Sequence, residues 1–171
     1  MSTRMDHMIA KTKGKLHGVG ARLEGLTGVF EKLAEEHAEV ASLMGRMKAD
    51  YTKRTELWPQ IRQALRAHEQ AELRAVYPVL RDLSELQLYA AHHSTEAKKL
   101  SDMIDRIDAT DMTLAMWPRL VDELFEMVTT HAKEEEKLIF PKAQSALGSD
   151  RTRELEETYL ETKQAILGET A

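Results

Sequence analysis

The stretch His131-Ala-Lys-Glu-Glu-Glu-Lys-Leu-Ile-Phe-Pro141 decides how this chain is read, because its skeleton occurs twice. The upstream copy is His68-Glu-Gln-Ala-Glu-Leu-Arg-Ala-Val-Tyr-Pro78. Each copy places a histidine, a glutamate four residues later, an aromatic five residues after that, and then proline. On a helix, positions i and i+4 lie one above the other on one face. His68 with Glu72, and His131 with Glu135, therefore each present an imidazole beside a carboxylate. Each pair is a two-toothed metal grip.

Around these motifs the chain reads as helical throughout. The 171 residues suit one domain with a real core. Leu, Met, Ala, Glu, Lys and Arg abound while Gly and Pro are sparse, which favours an all-α protein. A net charge of -5 offers no basic surface for nucleic acid. The absence of cysteine excludes disulfides, zinc-thiolate sites, iron-sulfur clusters and thiol catalysis. No apolar run approaches the roughly 18 to 20 residues of a membrane span. Lys11, Lys13 and Lys15 interrupt any secretory apolar region, so the expected location is cytoplasmic.

Periodicity outlines four long helices. Phe30, Leu33, His37, Val40, Met44, Met47 and Tyr51 step by three and four, the mark of one buried face. After a polar loop, Lys48 to Thr55, a second helix is predicted to begin near Leu57 or Pro59. Its seam is Ile61, Leu65, His68, Glu72, Val76 and Val79, with Pro78 marking its end or a kink. A third, from about Asp82 or Ser84, carries Leu83, Leu86, Ala90, His93, Ala97, Leu100, Ile104 and Ile107. A fourth opens around Pro118, with Trp117, Val121, Leu124, Val128, His131, Glu135 and Leu138 inward, and closes at Phe140-Pro141. Short connections make an antiparallel up-down-up-down four-helix bundle the natural packing of residues 29–147.

Two flanking pieces complete the organisation. Residues 1–28 keep a helical stripe weakened by five glycines, and read as an N-terminal helical arm that lies on the bundle or on a partner. After a turn at Gly148-Ser149-Asp150, residues 148–171 hold a short C-terminal capping helix, with Leu155, Tyr159 and Ile166 inward.

All four predicted helices thus put a histidine on the inward face, and two add a glutamate one turn on. Burying these groups without partners costs roughly 1–3 kcal/mol for each polar group and more for each charge. Metal coordination removes that cost. Imidazole and carboxylate donors without thiolate suit iron, manganese or zinc. Two grips plus two single histidines supply donors for two ions bridged by carboxylates. His7 and His17 stand in glycine-rich surroundings and read as solvated or satisfied core residues. Two of the three glutamates Glu134 to Glu136 read as a solvated face, and Met44, Met47, Met103 and Met127 as core filling.

These residues resemble the hemerythrin-like family, also called the HHE cation-binding domain. The resemblance is carried by Glu35-Glu36-His37-Ala38-Glu39-Val40, by His68 to Pro78, by His93 and by His131 to Pro141, over roughly residues 29–145. It implies a four-helix bundle around a non-haem di-iron centre with an oxygen-derived bridge. Carried over by position, His37, His68, His93 and His131 would be terminal ligands, and Glu72 and Glu135 the bridges. Oxygen-carrying hemerythrins have a further histidine one turn after the one in the third helix, where this chain has Ala97. They also place the last carboxylate five residues after its histidine, where this chain has Glu136; the spacing to Glu135 is the hemerythrin-like variant. Glu96, three residues from His93, is favoured for the missing donor, with His92, Glu69, Tyr89 or an open position as alternatives. His92 with Glu96 at i+4 is an alternative pairing that copies the grip spacing.

What the resemblance implies is a protein that binds, senses or reduces O2 or a related small oxidant such as peroxide or nitric oxide, or handles iron. The missing ligand shifts weight from carriage toward redox chemistry or sensing. A metal-dependent interaction module is the competing expectation, with residues 1–28 contacting a protein partner or a second copy of the chain.

Overall fold

The computed structural model describes residues 25–169, and every regular element among them is helical. Helix α1 is Val29–Ala49, α2 is Arg54–Ala71, α3 is Tyr77–Arg81, α4 is Gln87–Asp108, α5 is Met116–Glu134 and α6 is Phe140–Glu169. None of the described helices is long and apolar enough to cross a membrane.

The helix boundaries have local causes. Asp50 leaves α1 in an extended conformation and its carboxylate accepts from the Thr52 N–H, which caps the 3-10 turn Tyr51–Lys53. Helix α2 begins at Arg54, earlier than the expected Leu57 or Pro59, so Pro59 lies inside it. Pro59 and Thr55, whose carbonyl loses its helical partner, are both exposed, and water can satisfy that carbonyl. Helix α4 starts later than expected, because residues 82–86 form turns ahead of Gln87.

The largest departure lies downstream of each grip. Glu72–Val76 and Glu135–Ile139 are π-helical turns, with the Tyr77 N–H bonded to the Glu72 carbonyl and the Phe140 N–H to that of Glu135. A π turn holds one extra residue and rotates the faces downstream. Leu80 is accordingly buried in place of Val79, and Ile139 in place of Leu138. The motif spacing requires this. At about 100° per residue, an aromatic nine positions after a histidine would lie roughly 180° away from it. The extra residue rotates Tyr77 and Phe140 back toward the core, where both are fully buried. Pro78 and Pro141 lower the cost, since each already lacks the N–H of a regular helical bond.

Neither proline ends its helix. Tyr77–Arg81 continues α2 beyond the π turn, and α6 runs on from Phe140 to Glu169 through a kink at Gly148. Gly148 has φ 79° and ψ 165°, backbone that is essentially restricted to glycine. Beyond the kink, Leu155, Tyr159 and Ile166 are buried against the rest of the molecule, as their spacing predicted.

Two apolar clusters hold the helices together. One gathers Phe30 and Leu33 of α1 with Ala71 of α2, Tyr77 and Leu80 of α3, Leu86 and Ala90 around the start of α4, and Phe140, Leu155 and Tyr159 of α6. The other gathers Met44 and Met47 of α1, Leu57 and Trp58 of α2, Ile104 and Ile107 of α4, and Trp117 and Val121 of α5. Alternate helix ends therefore share each cluster. The N-terminal arm lies largely outside the described residues, as do His7 and His17. Of its end, Leu26 joins the first cluster, and the Thr27 N–H donates to Gln144 Oε1 at 2.7 Å.

Candidate metal centre

A layer of buried polar residues completes the interior: Glu36, His37, His68, Glu69, Glu72, His93, His131 and Glu135. Helix α1 brings Glu36 and His37, while α2 and its π turn bring His68, Glu69 and Glu72. Helix α4 brings His93, and α5 with its π turn brings His131 and Glu135.

Seven of these residues form two groups. Glu69, Glu72, His93 and His131 make one, and His37, His68 and Glu135 the other; within each group the potential ligand atoms lie within 4.8 Å of one another. Two of the glutamates, Glu135 and Glu72, connect the groups. Glu135 Oε2 is 3.3 Å from His37 Nε2, while its Oε1 is 3.4 Å from His131 Nε2. Glu72 Oε2 is 3.3 Å from His68 Nε2 and 3.9 Å from His93 Nε2. Glu69 lies 3.6 Å from His131 Nε2 through Oε1 and 3.8 Å from His93 Nε2 through Oε2.

The fit to metal is tested by which polar atoms lack partners. Glu69 Oε2, both oxygens of Glu72, both nitrogens of His93, His131 Nε2 and Glu135 Oε2 are buried and make no hydrogen bond. Such orphans are rare, because each costs about 1–3 kcal/mol. These seven atoms converge on one layer and belong to the donor types that bind cations. Donors at right angles on one ion, with bonds of about 2.1 Å, stand about 3 Å apart, close to the separations here. The donor set fits bound metal.

The outward sides of three imidazoles are held by carboxylates. His37 Nδ1 is 2.9 Å from Glu136 Oε1, His68 Nδ1 is 3.0 Å from Glu36 Oε2, and His131 Nδ1 is 3.1 Å from Glu96 Oε2. A proton held on Nδ1 leaves the Nε2 lone pair facing inward, the tautomer a ligand needs. His93 is fixed by stacking instead, its ring 3.5 Å from that of Tyr77 and 5° from parallel. The Tyr77 hydroxyl donates to Glu135 Oε1 at 2.6 Å, linking the first motif to the second.

Protons are shared unevenly across the layer. Burial disfavours charge on His37, but Glu135 and Glu136 outweigh it and raise its pKa to about 9. Burial likewise opposes charge on His131, and Glu135, Glu96 and Glu69 raise it to about 10. Burial wins at His68 and at His93, lowering each to about 4. It raises Glu69 to about 7 and Glu72 well above the usual carboxylate range, with Glu135 adding repulsion in both cases. Glu135 stays ionised: burial opposes this, but His131 and His37 hold it below that range. In the metal-free protein these protons balance the buried charge.

Of the site residues expected from sequence, the structure brings together His37, His68, Glu72, His93, His131 and Glu135 and leaves Glu96 outside both groups. Glu96 is about one-quarter exposed, with its oxygens on His131 Nδ1 and on the exposed His92. Glu69 occupies the inward position, because the residue after His68 turns toward α4 and α5 whereas Glu96 lies beyond the outer side of His131. Tyr89 lies beneath the Lys142 ammonium. Glu36, Tyr159 and Lys163 are not among the site residues expected from sequence. Tyr159 carries the signal of an inward helical phase and Glu36 that of the motif around His37, whereas Lys163 carries none.

Residues 30–143 match the family described as Hemerythrin HHE cation binding domain. The chain belongs to this family. Every residue of the two groups lies inside the matched span of this hemerythrin domain, whereas Tyr159 and Lys163 lie beyond it. No curated protein and no solved structure matches the chain.

Proposed function

We propose that this hemerythrin-like chain is a cytoplasmic non-haem di-iron protein that binds, senses or reduces O2 or a related small oxidant, such as peroxide or nitric oxide, or handles iron. The observation that carries the reading is the convergence of orphaned imidazole and carboxylate atoms in two groups joined by Glu72 and Glu135. Glu69, His93 and His131 would hold one ion and His37 and His68 the other, with Glu72 and Glu135 shared. Zinc or manganese would be tolerated by the same donors. When bound, iron supplies one-electron redox chemistry and a coordination position for a small ligand.

The chain's own residues supply the setting. Glu36, Glu136 and Glu96 orient imidazoles, and the Tyr77 hydroxyl orients Glu135. Val40, Leu65, Val76, Leu124 and Val128 are buried around the layer and exclude water. His131 borders a cavity of about 340 Å³ between α4 and α5, and His37 one of about 430 Å³ between α1 and α5. Either cavity is large enough to admit a diatomic molecule or peroxide. The sharing of two apolar clusters by alternate helix ends supports an up-down-up-down order in a bundle of residues 29–147.

Aerobic purification with metal analysis and an ultraviolet-visible spectrum tests the reading. The expected result is about two irons per chain, as di-iron bundles hold, with oxo-bridge charge-transfer bands. Zinc alone, with no visible absorption after iron-supplemented expression, would refute it. A metal-dependent interaction module without turnover is the second reading. It is favoured by the hydrogen-bonded connection between His68 and the C-terminal helix through Glu36. Removal of residues 1–24, which spares Leu26 and Gly28, separates the two: oxidant chemistry survives it under the first reading, whereas partner binding is lost under the second.

A further inference from the structure

Glu36 differs from the other two carboxylates that hold imidazoles. One of its two oxygens, Oε2, faces three donors: His68 Nδ1 at 3.0 Å, the Tyr159 hydroxyl at 2.6 Å and the Lys163 ammonium at 2.5 Å. Tyr159 is fully buried and its hydroxyl also lies 3.3 Å from His68 Nδ1. Tyr159 and Lys163 are one helical turn apart on the segment of α6 beyond the Gly148 kink, outside the residues matched to the family. Lys32 adds a longer contact to the other oxygen of Glu36, at 3.9 Å.

This arrangement has a physical rationale. A buried carboxylate beside a neutral imidazole is costly unless a cation and further donors offset its charge. Lys163 supplies the cation and Tyr159 the second donor, so Glu36 stays ionised in one orientation and keeps accepting the His68 Nδ1 proton. That bond fixes the ring so that His68 Nε2 faces His37 Nε2 at 3.1 Å and Glu72 Oε2 at 3.3 Å.

We propose that Tyr159 and Lys163 are positioning residues of the metal centre, acting through Glu36 on His68, so that the segment after Gly148 is part of the site and not only a cap. The inference rests on the reading that the two groups hold metal. Loss of a partner in this outer layer typically weakens metal binding by about 10- to 100-fold.

The test uses the full chain loaded with Co2+, whose visible bands report the ligand field. Lys163→Met and Tyr159→Phe should each shift those bands and speed removal of the metal by a chelator about tenfold. Lys163→Arg should restore the wild-type rate, and Lys98→Met, which removes an exposed lysine paired with Asp102, should match wild type. Melting of the metal-free proteins gives the control for folding. A merely structural role would lower the metal-free melting temperature and leave the bands and stripping rate of the loaded protein unchanged, which would overturn the proposal. Wild-type protein that takes up no Co2+ or iron would overturn the metal reading and this inference with it. Normal loading of wild type with unaltered Lys163→Met and Tyr159→Phe would overturn the inference alone.

Discussion

Replacing Glu69 with Gln should strengthen the metal-free protein while weakening its hold on metal. Glu69 is buried, its Oε2 has no hydrogen-bond partner, and burial followed by repulsion from Glu135 raises its pKa from an ordinary 4.5 to about 7. A folded-state pKa above the unfolded one means relative stability present below pH 4.5 and lost as pH rises through 7. At about 1.4 kcal/mol per pH unit, the rise from 4.5 to about 7 costs the metal-free fold about 3 kcal/mol at pH 8. Gln keeps the shape and carries no charge, so it removes that cost. At pH 5.5, one unit above the unfolded value, the same relation leaves a gain of only about 1 kcal/mol. For a chain of this size, 1 kcal/mol corresponds to about 2–4 °C, so melting at pH 8 should rise by up to about 6–12 °C. This is an upper bound, because His131 loses a neighbouring carboxylate that favours its charge. In competition titrations with a chelator, E69Q should bind metal more weakly than E96Q, which alters only the outward side of His131. Calorimetric melts of metal-free E69Q at pH 5.5 and 8, set beside those titrations, provide the assay. An E69Q protein with unchanged melting at pH 8 and unchanged metal affinity, beside an E96Q protein that loses its metal, would refute the assignment and restore Glu96 as the ligand.

Metal uptake should strengthen as pH rises from about 6.5 toward 9. His37 and His131, raised to about 9 and about 10, are protonated in the metal-free protein at neutral pH and must release those protons to coordinate. Titration calorimetry in buffers of different ionisation enthalpy measures that release; uptake with no proton exchange would contradict it. Tyr77→Phe keeps the ring on His93 but removes the donor to ionised Glu135, and should cost about 1.5–3 kcal/mol in denaturant unfolding of the metal-free chain. Gly28→Ala should destabilise by about 2 kcal/mol or more, because φ is +59° and an added Cβ would lie 2.6 Å from the Thr152 backbone. Unfolding midpoints equal to wild type would sink either expectation. His68→Ala should strip the metal, and metal analysis of His7→Ala should show wild-type content.

The helical character of the chain and six of the seven grouped residues were legible in sequence because both follow from local periodicity. A histidine or glutamate at a seam position shares the inward phase of the leucines around it, so His37, His68, Glu72, His93, His131 and Glu135 declared their direction without a partner in view. Phase also marked Leu155, Tyr159 and Ile166 as inward. It misled beyond Glu72 and Glu135, because extrapolating 3.6 residues per turn assumes an unbroken α register. The π turns buried Leu80 and Ile139 instead of Val79 and Leu138. The spacing from each histidine to its aromatic already contained that information, but only the requirement to bury Tyr77 and Phe140 together with the grips made it decisive.

The repeated histidine-glutamate grips that mark this chain as a hemerythrin domain were therefore determined by the sequence alone, since helical geometry converts spacing into a shared face. Which carboxylate faces inward was not. Glu69 and Glu96 are each within three residues of a seam histidine, and the difference between them is set by how α2, α4 and α5 are rotated against one another. The joining of Glu36 to Tyr159 and Lys163, more than 120 residues along the chain, was likewise decided only by tertiary packing. Hydrogen bonds across that separation leave no periodic trace, because they depend on where two helices cross and not on the phase of either.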